Sequence, residues 1–546
     1  MMEHRTEREI KGIFAVLTAI FVIFLAMPVF RLLAESMMCQ GTVSMGNYAA
    51  VFGGKDFGRA LLNSILIAVT SALCATLLAF FLAYAVHYTN IPKWMKKWIR
   101  TAAVLPMLLP TITYGFAIIY SFGKQGLITK MAGRQLFEIY GFNGLLIGYV
   151  IYVLPVAFLL ILNTMEYIDK KFMVVSRVMG DTPLRTFFAT LVRPLAGTLA
   201  AAIVQSFFLC FTDYGIPASV GGKYDVVATV LYNEMLGSVP DFGRGAVVAM
   251  AMLLPSVFSI LLLKYLERYN IRYSKVSVVE IPPNKLRDVA AGIGSAVIIA
   301  VMLLIFAVIF VVPFVEEWPY RIHFTMKHVK DVFQDASLYS VYKNSLFVAA
   351  STAFFGLLAA YGGALVTARS GMNKKLKAVI ESIALVTNTI PGMVIGIAFL
   401  LIFSGTPLQN TFFLIIICNI IHFFSTPYLM MKGALEKMNS SWETTARLMG
   451  DNWIKTLVRI VTPNLISTIL EVFGYYFVNA MVTVSAVIFI AGARTSVVTT
   501  KIKELQYYTK FNEVFVLSLL ILFTNLIVKG LLGWMSGRRE IRQMKK

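Results

Sequence analysis

Residues 176–187 read S-R-V-M-G-D-T-P-L-R-T-F, and residues 446–457 read A-R-L-M-G-D-N-W-I-K-T-L. The frame Arg-x-Met-Gly-Asp recurs at an offset of 270 residues. A basic residue, Arg185 or Lys455, and a threonine, Thr186 or Thr456, follow it in matching places. Glycine permits a turn that other side chains resist, Asp and Thr or Asn can cap the next helix, and Pro183 suits a first helical turn. Each copy therefore predicts a short helical hairpin, written twice.

The repetition extends outward from these hairpins. Asn63-Ser64 matches Asn344-Ser345, and L-P-T-I-T-Y-G with Pro110 and Gly115 matches I-P-G-M-V-I-G with Pro391 and Gly396, both at an offset of 281. V-V-A-T at 226–229 matches V-V-T-T at 497–500. Between and around these marks the chain is apolar: 58% of its 546 residues are hydrophobic, only 14% are charged, and the mean hydropathy is +0.75. A helix needs roughly 20 apolar residues to cross a bilayer, and about twelve such stretches can be marked. The expected fold is an all-α polytopic membrane protein of about twelve spanning helices. Two halves of six helices, residues 1–263 and 289–546, flank a cytoplasmic linker at 264–288. Six is even, so the copies run the same way through the membrane as a parallel repeat.

The net charge of +21 would suit a nucleic-acid binder if it were clustered. With the N-terminus inside, 33 of the 49 Lys and Arg fall in segments on the cytoplasmic side and 16 outside. That is the bias of the positive-inside rule, so the charge reports topology, both termini are expected in the cytoplasm, and no nucleic-acid partner is expected. The first apolar run continues past Pro28 without a small-residue cleavage site and reads as a retained helix. The four cysteines show no pairing or metal spacing. The five histidines are scattered over both membrane sides, which argues against a membrane-embedded metal or acid–base enzyme.

Both hairpins fall in the loop between the fourth and fifth helix of their half. This loop resembles the EAA loop of ABC-type importer permeases, whose pattern is Glu-Ala-Ala, three residues, Gly, and Leu-Pro about thirteen residues on. The resemblance covers essentially the whole chain and points to a fused two-repeat permease of the type I kind, in the branch of ferric-iron, 2-aminoethylphosphonate and thiamine systems. It implies that each loop docks one of two ABC ATPase copies. The docking residues would be Arg177, Gly180, Asp181 and Arg185 in the first copy, and Glu443, Arg447, Gly450, Asp451 and Lys455 in the second. The sequence departs from the pattern at V-V-S (174–176) and T-T-A (444–446), with Glu443 one place early, and at Pro194, fourteen residues after Gly180.

The resemblance further implies a bacterial inner-membrane location in contact with lipid, an extracytoplasmic solute-binding protein as partner, and alternating access driven by the ATPases. The chain carries no G-x-x-x-x-G-K-[ST] phosphate loop, so it is expected to hold no cofactor and to catalyse nothing. ATP and Mg belong to the ATPase.

Polar groups inside a bilayer are costly and each calls for a role. Asp213 and Tyr214 precede the helix-breaking Gly215 and Pro217, and Asn479, Thr483 and Ser485 lie at the matching level of the second half. All five are candidate substrate-path residues, with Asp213 equally readable as a cap at the outer interface. Glu471 and His422 read as buried partners of other polar groups. The phrase T-D-Y-G-I-P-A-S-V-G-G-K-Y-D-V-V-A-T-V-L-Y (212–232) resembles permeases for 2-aminoethylphosphonate; ferric iron, thiamine and sugar phosphate remain alternatives. An ion-coupled secondary transporter of twelve helices is the rival class, but it leaves the doubled hairpin unexplained.

Overall fold

The computed structural model of the chain describes residues 2–39, 41–266, 281–439 and 441–544. The linker expected at 264–288 lies mostly, over 267–280, outside the described residues. Helix dominates. The strands among the described residues are two short antiparallel pairs, Met38–Cys39 with Thr42–Val43 and Val315–Glu317 with Arg321–Phe324.

Eight described helices are long and apolar enough to cross a membrane, and three bent helix pairs bring the total to eleven if each pair is one span. The twelfth expected span, 102–123, is broken. Pro106 and Pro110 divide it into a 3-10 turn, Leu105–Leu108, and the helix Thr111–Phe122, whose twelve residues reach only about 18 Å. The second half repeats the break: Pro391 separates Lys374–Thr389 from Gly392–Phe403, which are bent by 104°.

The chain forms two compact units that do not coincide with the sequence halves. One comprises residues 50–234 and 254–328, the other residues 1–49, 235–253 and 329–546. In the first, Lys55–Tyr88 packs against Phe142–Glu166 and Arg193–Thr212, and Lys285–Val311, the opening helix of the second half, packs on Lys55–Tyr88 and Thr111–Phe122. In the other unit Ala336–Arg369 packs against Ile466–Val482 and Ser425–Lys437. The chain's own first helix, Met2–Phe21, packs on Ala336–Arg369, and Met27–Ser36 packs on Gly392–Phe403. Each unit thus contains the opening helix of the opposite half.

Which helix face turns inward follows from side-chain size. On Lys55–Tyr88 the buried face is Ala60, Ala68, Ala72, Ala75, Ala79 and Ala83, while Leu62, Leu66, Leu73 and Leu77 are exposed. Lipid tails are as apolar as leucine, so burial gains little from leucine; small residues win the interface by letting backbones approach. The matching helix Ala336–Arg369 buries Ala349, Ala353, Gly356 and Ala360 and exposes Phe347, Phe354 and Phe355. A Cβ at Gly356 would stand 2.7 Å from the Tyr476 ring, so only glycine admits that tyrosine.

Candidate functional site

Each hairpin is built by the same local bonds. In the first, Lys171–Val178 ends at Gly180, whose φ of 84° lies in the left-handed region, and Pro183–Phe187 begins after Thr182. The Thr182 hydroxyl accepts from the Arg185 amide, and the Asp181 amide donates to Ser176 O at 3.1 Å. In the second, Ser441–Leu448 ends at Gly450, also at φ 84°, and Trp453–Thr456 begins after Asn452. The Asn452 side chain accepts from the Lys455 amide at 2.8 Å, and the Asp451 amide donates to Ala446 O at 3.0 Å. Ion pairs one helical turn apart, Arg185 to Asp181 at 3.0 Å and Lys455 to Asp451, brace both turns. Thr186 and Thr456 are the buried pegs of the two hairpins.

The bonds hold an apolar tip out of the protein. Val178 and Met179 are 83% and 78% exposed, and Leu448 and Met449 are 84% and 80% exposed; Leu184 and Ile454 are exposed beside them. Sequence reasoning singled out the charges and missed these side chains, although both methionines stand inside the repeated motif. The signal was available: paired apolar residues before the turn glycine of a charged loop.

Arg177 and Arg185 are exposed at the first tip and Lys455 at the second, while Asp181 and Asp451 are half-buried braces. The side chain of Arg447 lies outside the described residues. Glu443 departs from its expected role. Its carboxylate is turned inward, 3.5 Å from Arg369 Nε, with the two side chains only 14% and 8% exposed. Arg369 closes the long helix Ala336–Arg369, and its Nη2 donates to Leu435 O and Met438 O. Glu443 therefore fastens the hairpin helix to two spanning helices and is not presented at the tip. In the first copy the positions matching Arg369 and Glu443 are Tyr88 and Met173, so no ion pair can form there. The tie is instead Lys170, whose ammonium lies 5.5 Å from the Tyr88 ring centroid and whose pKa burial lowers.

The candidate path residues serve packing in the structure. Asp213 ends the helix Arg193–Thr212, is buried, and accepts from the Ile216 amide at 2.9 Å. It also accepts from the Thr111 side chain. Its carboxylate thus caps the helix break that follows it. Tyr214 is buried and stacked on Tyr232 with ring centroids 4.7 Å apart. Opposite the cap, a Cβ at Gly215 would strike Thr111 Oγ1 at 2.2 Å and the Ile112 amide nitrogen at 2.6 Å.

In the second half the glycine sits on the other partner. Ser485 replaces Gly215 and Gly392 replaces Thr111, and a Cβ at Gly392 would meet Ser485 Oγ at 2.6 Å and His422 Nε2 at 3.1 Å. The two breaks keep the same close approach by exchanging which side is bare. Thr483 ends Ile466–Val482 as Asp213 ends its helix, and the Asn479 side-chain Nδ2 donates to Tyr475 O at 2.8 Å. His422 packs on Phe423 and beside the close approach of Gly392 to Ser485. Glu471, expected to be buried, is exposed beside a recess lined by Lys437 and Trp442, because its face of the helix turns away from the packed side.

The remaining repeats explain one another. The Ser64 hydroxyl accepts from the Val227 amide at 2.8 Å, and the Ser345 hydroxyl from the Val498 amide at 2.7 Å. Asn63 and Asn344 donate to Asp225 O and Ser496 O. Thr229 and Thr500 then cap the Val226 and Val497 amides. Among the described residues no group of three or more His, Cys, Asp or Glu is placed to hold a metal.

Two copies of a core in which a bent helix, a broken helix and a short exposed hairpin recur make up a fold rich in helices apolar enough to cross a membrane. The family described as binding-protein-dependent transport system inner membrane component matches residues 75–272 and 331–541, and this chain belongs to it. Both matched segments begin after the opening helix of their half, the helix that each unit takes from the other. Among curated relatives, the putative ferric transport system permease protein FbpB 1 of Haemophilus influenzae is 26% identical over 72% of this chain and 64% of its own length. The ferric transport system permease protein FbpB of Actinobacillus pleuropneumoniae is 24% identical over 73% and 60%. The thiamine transport system permease protein ThiP of Haemophilus influenzae is 26% identical over 32% and 33%. The matched part of the chain thus spans under two thirds of the length of the two ferric relatives.

Proposed function

We propose that this chain is the membrane permease subunit of an ATP-driven ABC importer, with each hairpin docking one copy of a cytoplasmic ATPase. An extracytoplasmic binding protein delivers the solute, and ATP with its Mg is held by the ATPase. The observation that carries this reading is the doubled hairpin, identical in turn geometry and bare in its apolar tip. Burying a valine, leucine or methionine stabilises by about 1.5–3 kcal/mol each, so Val178, Met179 and Leu184 together make a binding knob; Leu448, Met449 and Ile454 make its twin. Closure of the ATPases pulls the two knobs, and the ties at Tyr88–Lys170 and Arg369–Glu443 pass that motion to the spanning helices. Both termini then lie in the cytoplasm.

For the solute we favour ferric iron, because the two relatives that match most of the chain carry that name. The phrase at 212–232, which resembles 2-aminoethylphosphonate permeases, is occupied here with capping and close packing at Asp213, Gly215 and Thr229, so it reports the fold of this branch more than the solute. Calorimetry on the cognate binding protein tests this directly. Ferric iron, thiamine, putrescine, a hexose phosphate and 2-aminoethylphosphonate are titrated in turn. Tight binding of ferric iron alone supports the choice, and tight binding of another ligand replaces it while leaving the importer intact. Cross-linking through Met179→Cys and Met449→Cys tests the coupling: capture of an ATPase is expected. Its absence would overturn the hairpin tips as the docking sites.

A further inference from the structure

We propose that the unit containing the N-terminal helix holds an anionic phospholipid of the cytoplasmic leaflet in a groove between the first helix and Lys374–Thr389. The groove has a volume of about 680 Å³ and its lining is graded. Lys375 stands at one end, Ser382 follows about two helical turns on, past Ala378 and Val379, and Leu25, Val386 and Ile390 line the far end. The cation lies at the headgroup end and the hydrocarbon lining at the acyl-chain end. From Lys375 to Ile390 is about 22 Å along the helix, enough for one leaflet's hydrocarbon of about 15 Å and its headgroup zone.

Two further observations support this occupant. The first helix passes through a π-helical turn at Val22–Ala26, and Val22, Leu25 and Ala26 line the groove. Such turns are rare and are often kept where something binds. Lys374, Lys375 and Lys377 crowd the amino end of Lys374–Thr389, where the helix dipole already repels cations. Lys377 is tied to Ser370 O at 2.6 Å, while the exposed Lys374 and Lys375 suit a phosphate that would relieve the repulsion.

The other unit supplies the contrast. Its matching helix, Lys93–Ala102, repeats the lysine tie, Lys96 to Thr89 O at 2.7 Å. It packs directly against Lys285–Val311, where a Cβ at Gly292 would lie 3.6 Å from Ile91 and 3.8 Å from Met95. The opening helix and its neighbour are thus in direct contact at the matching level of that unit.

The test uses the purified full chain in detergent, with its melting temperature measured after adding phosphatidylglycerol or phosphatidylcholine. Ligand binding to the folded state raises the melting point, so phosphatidylglycerol is expected to raise it by several degrees more than phosphatidylcholine. That difference is expected to vanish in the exposed double variant Lys374→Glu/Lys375→Glu and in Val379→Trp, which fills the groove. It should persist in Leu77→Trp, a lipid-facing control in the other unit. No difference between the lipids in the parent chain overturns the site. So does a difference that survives Val379→Trp, or one that Leu77→Trp also removes.

Discussion

Gly180 and Gly450 set the scale at which the hairpins are specified. A Cβ at either would meet nothing within 4 Å, so substitution strains the backbone without a collision. The left-handed conformation costs an ordinary residue roughly 1–2 kcal/mol, and asparagine adopts it more readily than others. Valine at both positions is expected to abolish association with the ATPase while the melting temperature of the permease falls only slightly; asparagine at both should keep most of the association. Pull-down of the ATPase beside a melting curve separates the two effects. Ser64 and Ser345 make a second matched pair. Alanine at either leaves a buried amide without an acceptor, which costs about 1–3 kcal/mol, and the repeat predicts similar losses on thermal unfolding. At this scale the sequence was legible wherever a residue's role is local: the turn glycines, the caps and the paired Asn-Ser all carry their meaning in their neighbours. Glu443 was misread because Arg369, its partner, lies 74 residues away on a different helix, and no spacing rule joins them.

Between elements, the hairpins are alike at the tip and different at the root. The second is rooted by the Arg369–Glu443 pair, the first by Lys170 against Tyr88. Removing one member of a buried pair leaves the other charge uncompensated, at a cost of up to about 3–5 kcal/mol. Glu443→Ala is therefore expected to loosen the second hairpin strongly, seen as faster tryptic cleavage after Lys455, while Met173→Ala leaves cleavage after Arg185 nearly unchanged. The broken helices show the same economy of design in a different form. Gly215 faces Thr111 in one half and Gly392 faces Ser485 in the other, so Gly215→Ala should lower expression and thermal stability more than Ala218→Ser nearby. Prolines 106, 110 and 391 stand at breaks in stretches that were expected as whole spans. Hydropathy alone did not show the breaks, because an apolar stretch reads the same whether it runs straight or bends.

For the whole molecule, the parallel repeat and the helical membrane class were legible from composition and from the two offsets. The exchange of opening helices between compact units was not, since an apolar helix does not say which apolar neighbour it will choose. That choice rests on small-residue packing: Gly362 approaches Ile13 and Leu17, and Gly294 approaches Phe81. The central claim is that two equivalent apolar knobs recruit two ATPase subunits. The most direct test is the stoichiometry of ATPase copurifying with the chain, measured by native mass spectrometry for the parent, Met179→Asp, Met449→Asp and the double variant. Two ATPase copies on the parent, a reduced complement on each single variant and none on a folded double variant is the expected result. A double variant that still carries its full complement of ATPase would contradict the account.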